Sequence, residues 1–146
     1  MRRSDTRQRI IEESLHLFAS NGYDAVSVSQ IAQAVGIKAP SLYKHFASKR
    51  AIFEAIVDYM HRIDVEHSQE AEVPERDVDA DDGPHDAVDP KKLRVYMVEQ
   101  FRYWTEDDLA RDYRRMLTVE QYTSAEGMAM YQKVLGSGPV AYIEDM

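Results

Sequence analysis

Lys38, Lys44, Lys49 and Arg50, together with His45, mark where this chain could do chemistry. They lie in a stretch from residue 25 to 53 that holds no carboxylate. The whole chain has 26 acids against 18 bases and a net charge of −8, so a long acid-free run is out of keeping with it. Cations without neighbouring carboxylates suit phosphate, which an adjacent acid would repel. Lysine can also donate to guanine O6 and N7, and Ala39 or Pro40 can touch a thymine methyl. The other reading is an ordinary pair of short helices with an incidental gap in charge. No nucleophile paired with a base is visible, so no catalytic residue is assigned and no enzyme is expected.

The elements around these residues are legible. Ser27 followed by Gln30 has the spacing of a capping box. Ile31, Ala32 and Val35 then share one helical face until Gly36 interrupts it. A second short helix can begin near Ala39, with Pro40 in its first turn, where a missing N–H does no harm. Two short helices joined by a turn that carries glycine make a helix-turn-helix pattern. At about 100° per residue, Leu42 and Phe46 fall on one side of the second helix and Pro40 and Lys44 on the other, with Ser41 and Tyr43 on the flanks. The apolar side can be buried while the small, basic and aromatic side faces outward.

Helices are expected on either side. Residues 5–20 carry Ile11, Leu15 and Phe18 as a stripe, broadened by Ile10 and Leu17, with Ser4 or Asp5 as cap. Asn21-Gly22 ends that helix, with Tyr23 packed back on its last turn. Arg2, Arg3, Arg7 and Arg9 are either a solvated terminus or an arm that contacts phosphate or the minor groove. Ser48 can cap a longer helix with Ile52, Phe53, Ile56, Met60 and Ile63 on one face. Lys49 and Arg50 at its start oppose the helix dipole, a misfit that a bound phosphate would relieve.

Residues 6–66 resemble the N-terminal DNA-binding domain of the TetR (tetracycline-repressor-like) family of bacterial transcriptional regulators. The strings that carry the likeness are R9-I-I-E-E-S-L-H-L-F18, N21-G-Y-D-A-V-S-V-S-Q-I-A32, V35-G-I-K-A-P-S-L-Y-K-H-F46 and S48-K-R-A-I-F53. The resemblance implies an all-α protein: a three-helix helix-turn-helix domain followed by a helical effector and dimerisation domain. It also implies a double-stranded DNA operator as partner and a small-molecule effector that releases a repressor. Carried over position by position, Ser27, Tyr43, His45 and Lys49 are expected at phosphates, and Lys38, Ala39, Pro40, Ser41 and Lys44 in the groove. Members of the family pair through two further long helices, and this chain ends about where the first would begin. The family's homodimer is therefore in doubt for this chain. A rival from another class is a helical protein-interaction module without specific DNA binding.

Composition divides the chain into residues 1–67, an acidic linker at 68–90, and a partial helical unit at 91–146. From Gln69 to Pro90 nine acids face the single base Arg76, with Pro74, Gly83, Pro84 and Pro90 as breaks. D77-V-D-A-D-D-G83 lacks the spaced glutamate and flanking helices of a calcium loop. His61 and His67 are six apart, which is not a ligand spacing on a helix, so no metal and no cofactor is expected. In the third part Leu93, Tyr96, Met97, Phe101 and Trp104 form an aromatic stripe. Thr105 with Asp108 can cap a helix through Leu109, Tyr113, Met116 and Leu117. Thr123 with Glu126 can cap another through Met128, Tyr131, Val134 and Leu135, stopped at Gly136. Tyr96, Phe101, Trp104 and Tyr131 are either core or the lining of a pocket for a small apolar or aromatic effector. The chain has no cysteine, which leaves a reducing cytoplasm as the simplest home, and no apolar run of membrane-spanning length.

Overall fold

A computed structural model describes residues 3–70 and 89–136 of the chain. Its described residues form helices and turns: α1 (Arg3–Asn21), α2 (Val28–Val35), α3 (Ala39–Leu42), α4 (Lys49–Glu70), α5 (Pro90–Glu106), α6 (Asp108–Glu120) and α7 (Ala125–Leu135). The acidic stretch at 71–88, with its calcium-like string, and the residues from 137 onward lie outside the described residues.

α1 is the axis of the packing. Ile10, Ile11, Leu15, Phe18 and Ala19 are buried along it. The helix ends at Gly22, whose φ of 84° is the left-handed conformation that only glycine adopts freely. The Gly22 N–H donates to the Phe18 carbonyl at 2.9 Å. Tyr23 then turns back, its ring centroid 5.2 Å from Phe18 and 5.3 Å from Phe53.

The core does not stop at residue 67. α6 lies along α1, and Ala110, Tyr113, Met116 and Leu117 are buried on its inner face. Tyr113, Met116 and Leu117 belong to the same cluster as Phe18, Ile31, Leu42 and Ile52, with Trp104, Leu109, Tyr131 and Val134 packed at its margin. The charged residue at the next step of that face, Glu120, is buried too.

Local signals set most helix starts. Ser27 and Gln30 form the reciprocal capping box: the Gln30 N–H donates to Ser27 Oγ at 3.2 Å, and the Ser27 N–H to Gln30 Oε1 at 2.7 Å. Ser48 accepts from the Ala51 N–H at 3.1 Å and opens α4. Two caps fall one or two residues later than expected. Asp107, not Thr105, accepts from the Ala110 N–H at 2.9 Å, while the Thr105 hydroxyl donates within α5 to the Phe101 carbonyl. Ser124, not Thr123, accepts from the Gly127 N–H at 2.9 Å. Thr123 instead donates to the carbonyl and carboxylate of Glu120. Gly127 lets α7 start against the end of α6, because a Cβ there would run into the Glu120 backbone.

The aromatic stripe of α5 needs correction. Tyr96 is buried, and Gln100, Tyr103 and Trp104 are partly buried beside it, but Met97 and Phe101 point outward and Phe101 is 70% exposed. Five residues on an α-helix turn through about 140° net, which takes Phe101 off the face of Tyr96. Phe101 therefore lines no interior surface, whereas Tyr96, Trp104 and Tyr131 remain on or beside the core.

Candidate nucleic-acid interface

The reading head is α2, a glycine turn and α3. Ile31, Ala32 and Val35 bury the inner face of α2. Gly36, at φ 78°, closes it, and the Ile37 N–H reaches back to the Ala32 carbonyl at 2.9 Å, the long bond of a Schellman turn. α3 begins at Ala39 as expected but ends before Phe46, which was expected on its buried side. It holds four residues and then tightens, with the Lys44 N–H donating to the Ser41 carbonyl and the His45 N–H to the Leu42 carbonyl. Bonds of that i to i+3 kind turn the chain faster than an α-helix. Leu42 and Phe46 are nonetheless both buried.

The opposite side is open. Lys38, Pro40, Tyr43 and Lys44 are exposed, with Tyr43 at 53%, and Ala39, Ser41 and His45 are half-buried among them. Neither Lys38 nor Lys44 makes an ion pair among the described residues. Ser27 is exposed as well, although its hydroxyl is engaged in the cap.

The remaining cations hold the head together. Lys49 Nζ donates to the carbonyls of Tyr23, at 2.8 Å, and Val26, at 2.9 Å, and lies 4.3 Å from the centre of the Tyr23 ring. Arg50 pairs with Glu54 at 3.1 Å and also with Glu126 of α7. These hydrogen bonds, with Glu54 first, raise the Arg50 guanidinium pKa above its ordinary value. The misfit of two cations at the start of α4 is thus met from inside the chain, by carbonyls and carboxylates.

Arg7 and Arg9 have similar duties. Arg9 donates to the Val35 carbonyl at 2.7 Å, the last of α2. Arg7 donates to the His45 carbonyl at 3.1 Å and stacks on Phe46 at 4.2 Å. The last carbonyls of a helix lack partners within it and carry its negative dipole end, so cations stabilise them. Arg2 and the side chain of Arg3 lie outside what is described.

Sequence reasoning missed these structural roles, and it missed Glu120. The Glu120 carboxylate accepts the Tyr23 N–H at 3.1 Å. Its signal was available: 113, 116, 117 and 120 are one helical register, and a charge at the fourth place of an apolar register needs a buried partner. A cavity of about 30 Å³ lies beside it, lined by Tyr23, Arg50, Phe53, Glu120 and Met130. That is room for a water or two and no organic ligand. Among the described residues, no three His, Cys, Asp or Glu side chains gather as a metal site, and no helix is long and apolar enough to cross a membrane.

Residues 10–56, from the middle of α1 into α4, match the family model of the bacterial regulatory proteins of the tetR family. Over that stretch the chain is similar to the tetR family. The match takes in the whole reading head, the Lys49 contacts and the Arg50–Glu54 pair, but not Glu126. Among curated relatives, the HTH-type transcriptional repressor ComR of Escherichia coli (strain K12) is 32% identical over 75 residues, 51% of this chain and 36% of that protein. The biofilm operon icaADBC HTH-type negative transcriptional regulator IcaR of Staphylococcus aureus (strain Newman) is 41% identical over 61 residues, 39% of this chain and 33% of that protein. The chain thus spans about a third of the length of these relatives.

Proposed function

We propose that the chain is a sequence-specific DNA-binding transcriptional regulator, a cytoplasmic repressor released by a small-molecule effector. The observation that carries the reading is the division of labour among the cations. Arg7, Arg9, Lys49 and Arg50 are bonded within the chain, whereas Lys38 and Lys44 stand exposed with Pro40 and Tyr43 on the outer side of α3. Two projecting lysines in a stretch of sequence without acids have the donors to read base edges and the charge to hold phosphates. The similarity to named repressors supports the sign of the regulation. In this reading Lys38, Ala39, Pro40, Ser41 and Lys44 enter the major groove, and Tyr43, His45 and Ser27 lie along its phosphates. Lys49 acts at one remove, by fixing the loop before α2. Two heads on a palindromic operator would be centred about 34–36 Å apart or at multiples of that.

The test is selection from random duplexes, followed by titration of the selected and a scrambled duplex at two salt concentrations. A recovered consensus, with affinity that falls as salt rises, is the expected result. Recovery of no consensus, with equal weak binding to both duplexes, would favour the protein-interaction module instead.

A further inference from the structure

α5 presents an outward stripe. Arg94, Met97, Val98, Phe101 and Arg102 follow one another at i, i+3, i+4, i+7 and i+8, the spacing of one helical face. All five are exposed. Exposed apolar residues scattered singly are ordinary, but three large ones on one face mark a surface that meets something. Neither arginine makes an ion pair among the described residues. Glu99, the only acid between them, lies about 100° round the helix from Val98, off the stripe. In a chain of net charge −8, this face is apolar at its centre and cationic at both ends.

We propose that the stripe docks an acidic amphipathic helix of another protein. A helix rises 1.5 Å per residue, so Arg94 and Arg102 stand about 12 Å apart along α5. A second helix lying along α5 meets both arginines with carboxylates about eight residues apart. Large apolar residues between those carboxylates cover Met97, Val98 and Phe101, the usual anchor spacing of helix recognition. Other occupants match less of the stripe. A second copy laid stripe on stripe sets arginine against arginine in either direction, and like charges oppose such a contact. The chain's own acidic stretch at 69–90 has the charge, but it holds no Leu, Ile, Met, Phe, Tyr or Trp to cover the apolar centre. A helix on a bilayer keeps its cations on the polar face, whereas here the arginines continue the apolar one. This contact uses none of the residues assigned to DNA and is measured without it.

The probe is a dye-labelled helical peptide with two glutamates eight residues apart and a leucine and phenylalanine stripe between them. Its binding to the full chain is followed by fluorescence anisotropy. Saturable binding is expected, weakened by salt and about tenfold tighter than that of a glutamine counterpart or an order-scrambled peptide. Phe101→Ser should weaken it by about tenfold, as loss of an anchor does. Arg94→Gln with Arg102→Gln should weaken it and remove most of its salt dependence. Both variants should melt like the parent, because the side chains they alter are exposed. Tyr122→Ser, at another exposed aromatic, should leave binding unchanged. Equal binding of the glutamine or scrambled peptide, or unchanged affinity in both stripe variants, would overturn the proposal. So would a dimer in sedimentation equilibrium that Phe101→Ser abolishes, which would give the stripe to a second copy. Capture by phosphatidylglycerol vesicles that Phe101→Ser abolishes, without peptide binding, would give it to a bilayer. A glycine-serine replacement of residues 71–88 that tightens the peptide by about tenfold would give it to the chain's own acids.

Discussion

Lys49 and Lys44 show how two lysines five residues apart come to do different work. Lys49 gives two N–H bonds to carbonyls of the α1–α2 loop, those of Tyr23 and Val26. Hydrogen bonds that involve a charged group are worth about 1.5–3 kcal/mol. We expect Lys49→Ala to lower stability by about 2 kcal/mol in urea melts and to weaken all duplexes alike. Lys49→Met, which keeps the stem over Tyr23, should recover only the packing part of that loss. If Lys49→Ala melts like the parent while its salt dependence flattens, the ammonium works on phosphate and not on the loop. Lys44 is exposed and unpaired, so Lys44→Ala should leave stability within about 0.5 kcal/mol. It should instead cost about 1–3 kcal/mol at one base pair of the selected site. Equal loss on selected and scrambled duplexes would remove it from base reading.

At the scale of the element, α3 is too short to stand on its own hydrogen bonds, and its position rests on Leu42, Phe46 and the Arg7 contact to the His45 carbonyl. Phe46→Ala removes a buried ring and the platform for Arg7. A loss of about 3–5 kcal/mol is expected, by the usual cost of deleting a buried aromatic. Urea melts followed by circular dichroism measure it, and a loss below about 1 kcal/mol would show that the ring is not an anchor. The caps of α2 and α4, the glycine stop of α1 and the buried face of the head were legible in sequence, because each depends on residues within a few positions. The starts of α6 and α7 were misplaced because Thr105 and Thr123 have cap spacing too, and only the tertiary turn decides between neighbours. Phe101 was misread because it follows Met97 by four residues and shares that outward side, whereas the buried face follows Tyr96. The partners of Lys49, Arg9 and Glu120 were beyond reach, since they lie 23 or more residues away.

The whole molecule is held by a core that α6 completes. Tyr113 of α6 and Tyr59 of α4 have phenol pKa values pushed up to about 12, chiefly by burial, with Glu12 hydrogen-bonded to Tyr59. A raised folded-state pKa means that the folded chain keeps protons which the unfolded chain releases from about pH 10 upward. Stability should therefore be level below pH 10 and fall from there through pH 12, with a shallower fall in Tyr113→Phe and Tyr59→Phe. Urea midpoints at pH 9, 10, 11 and 12 would show it, and a flat series would mean that neither phenol is perturbed. The deeper consequence concerns the head alone. Met116 and Leu117 are fully buried in one cluster with Phe18 and Ile52, and Glu120 bonds the Tyr23 N–H that begins the loop before α2. A fragment of residues 1–67 keeps every candidate DNA contact but uncovers the α6 side of α1. Losing two buried side chains of that size costs about 2–5 kcal/mol each, against a total of about 5–15 kcal/mol for a domain. The fragment should lose its sharp melt and bind the selected duplex at least tenfold more weakly than the full chain. Leu117→Ala should move the full chain part of the way, with faster amide exchange in α2 although Leu117 is far from it in sequence. A fragment that melts as sharply as the full chain and binds as tightly would mean that α6 covers the head without stabilising it.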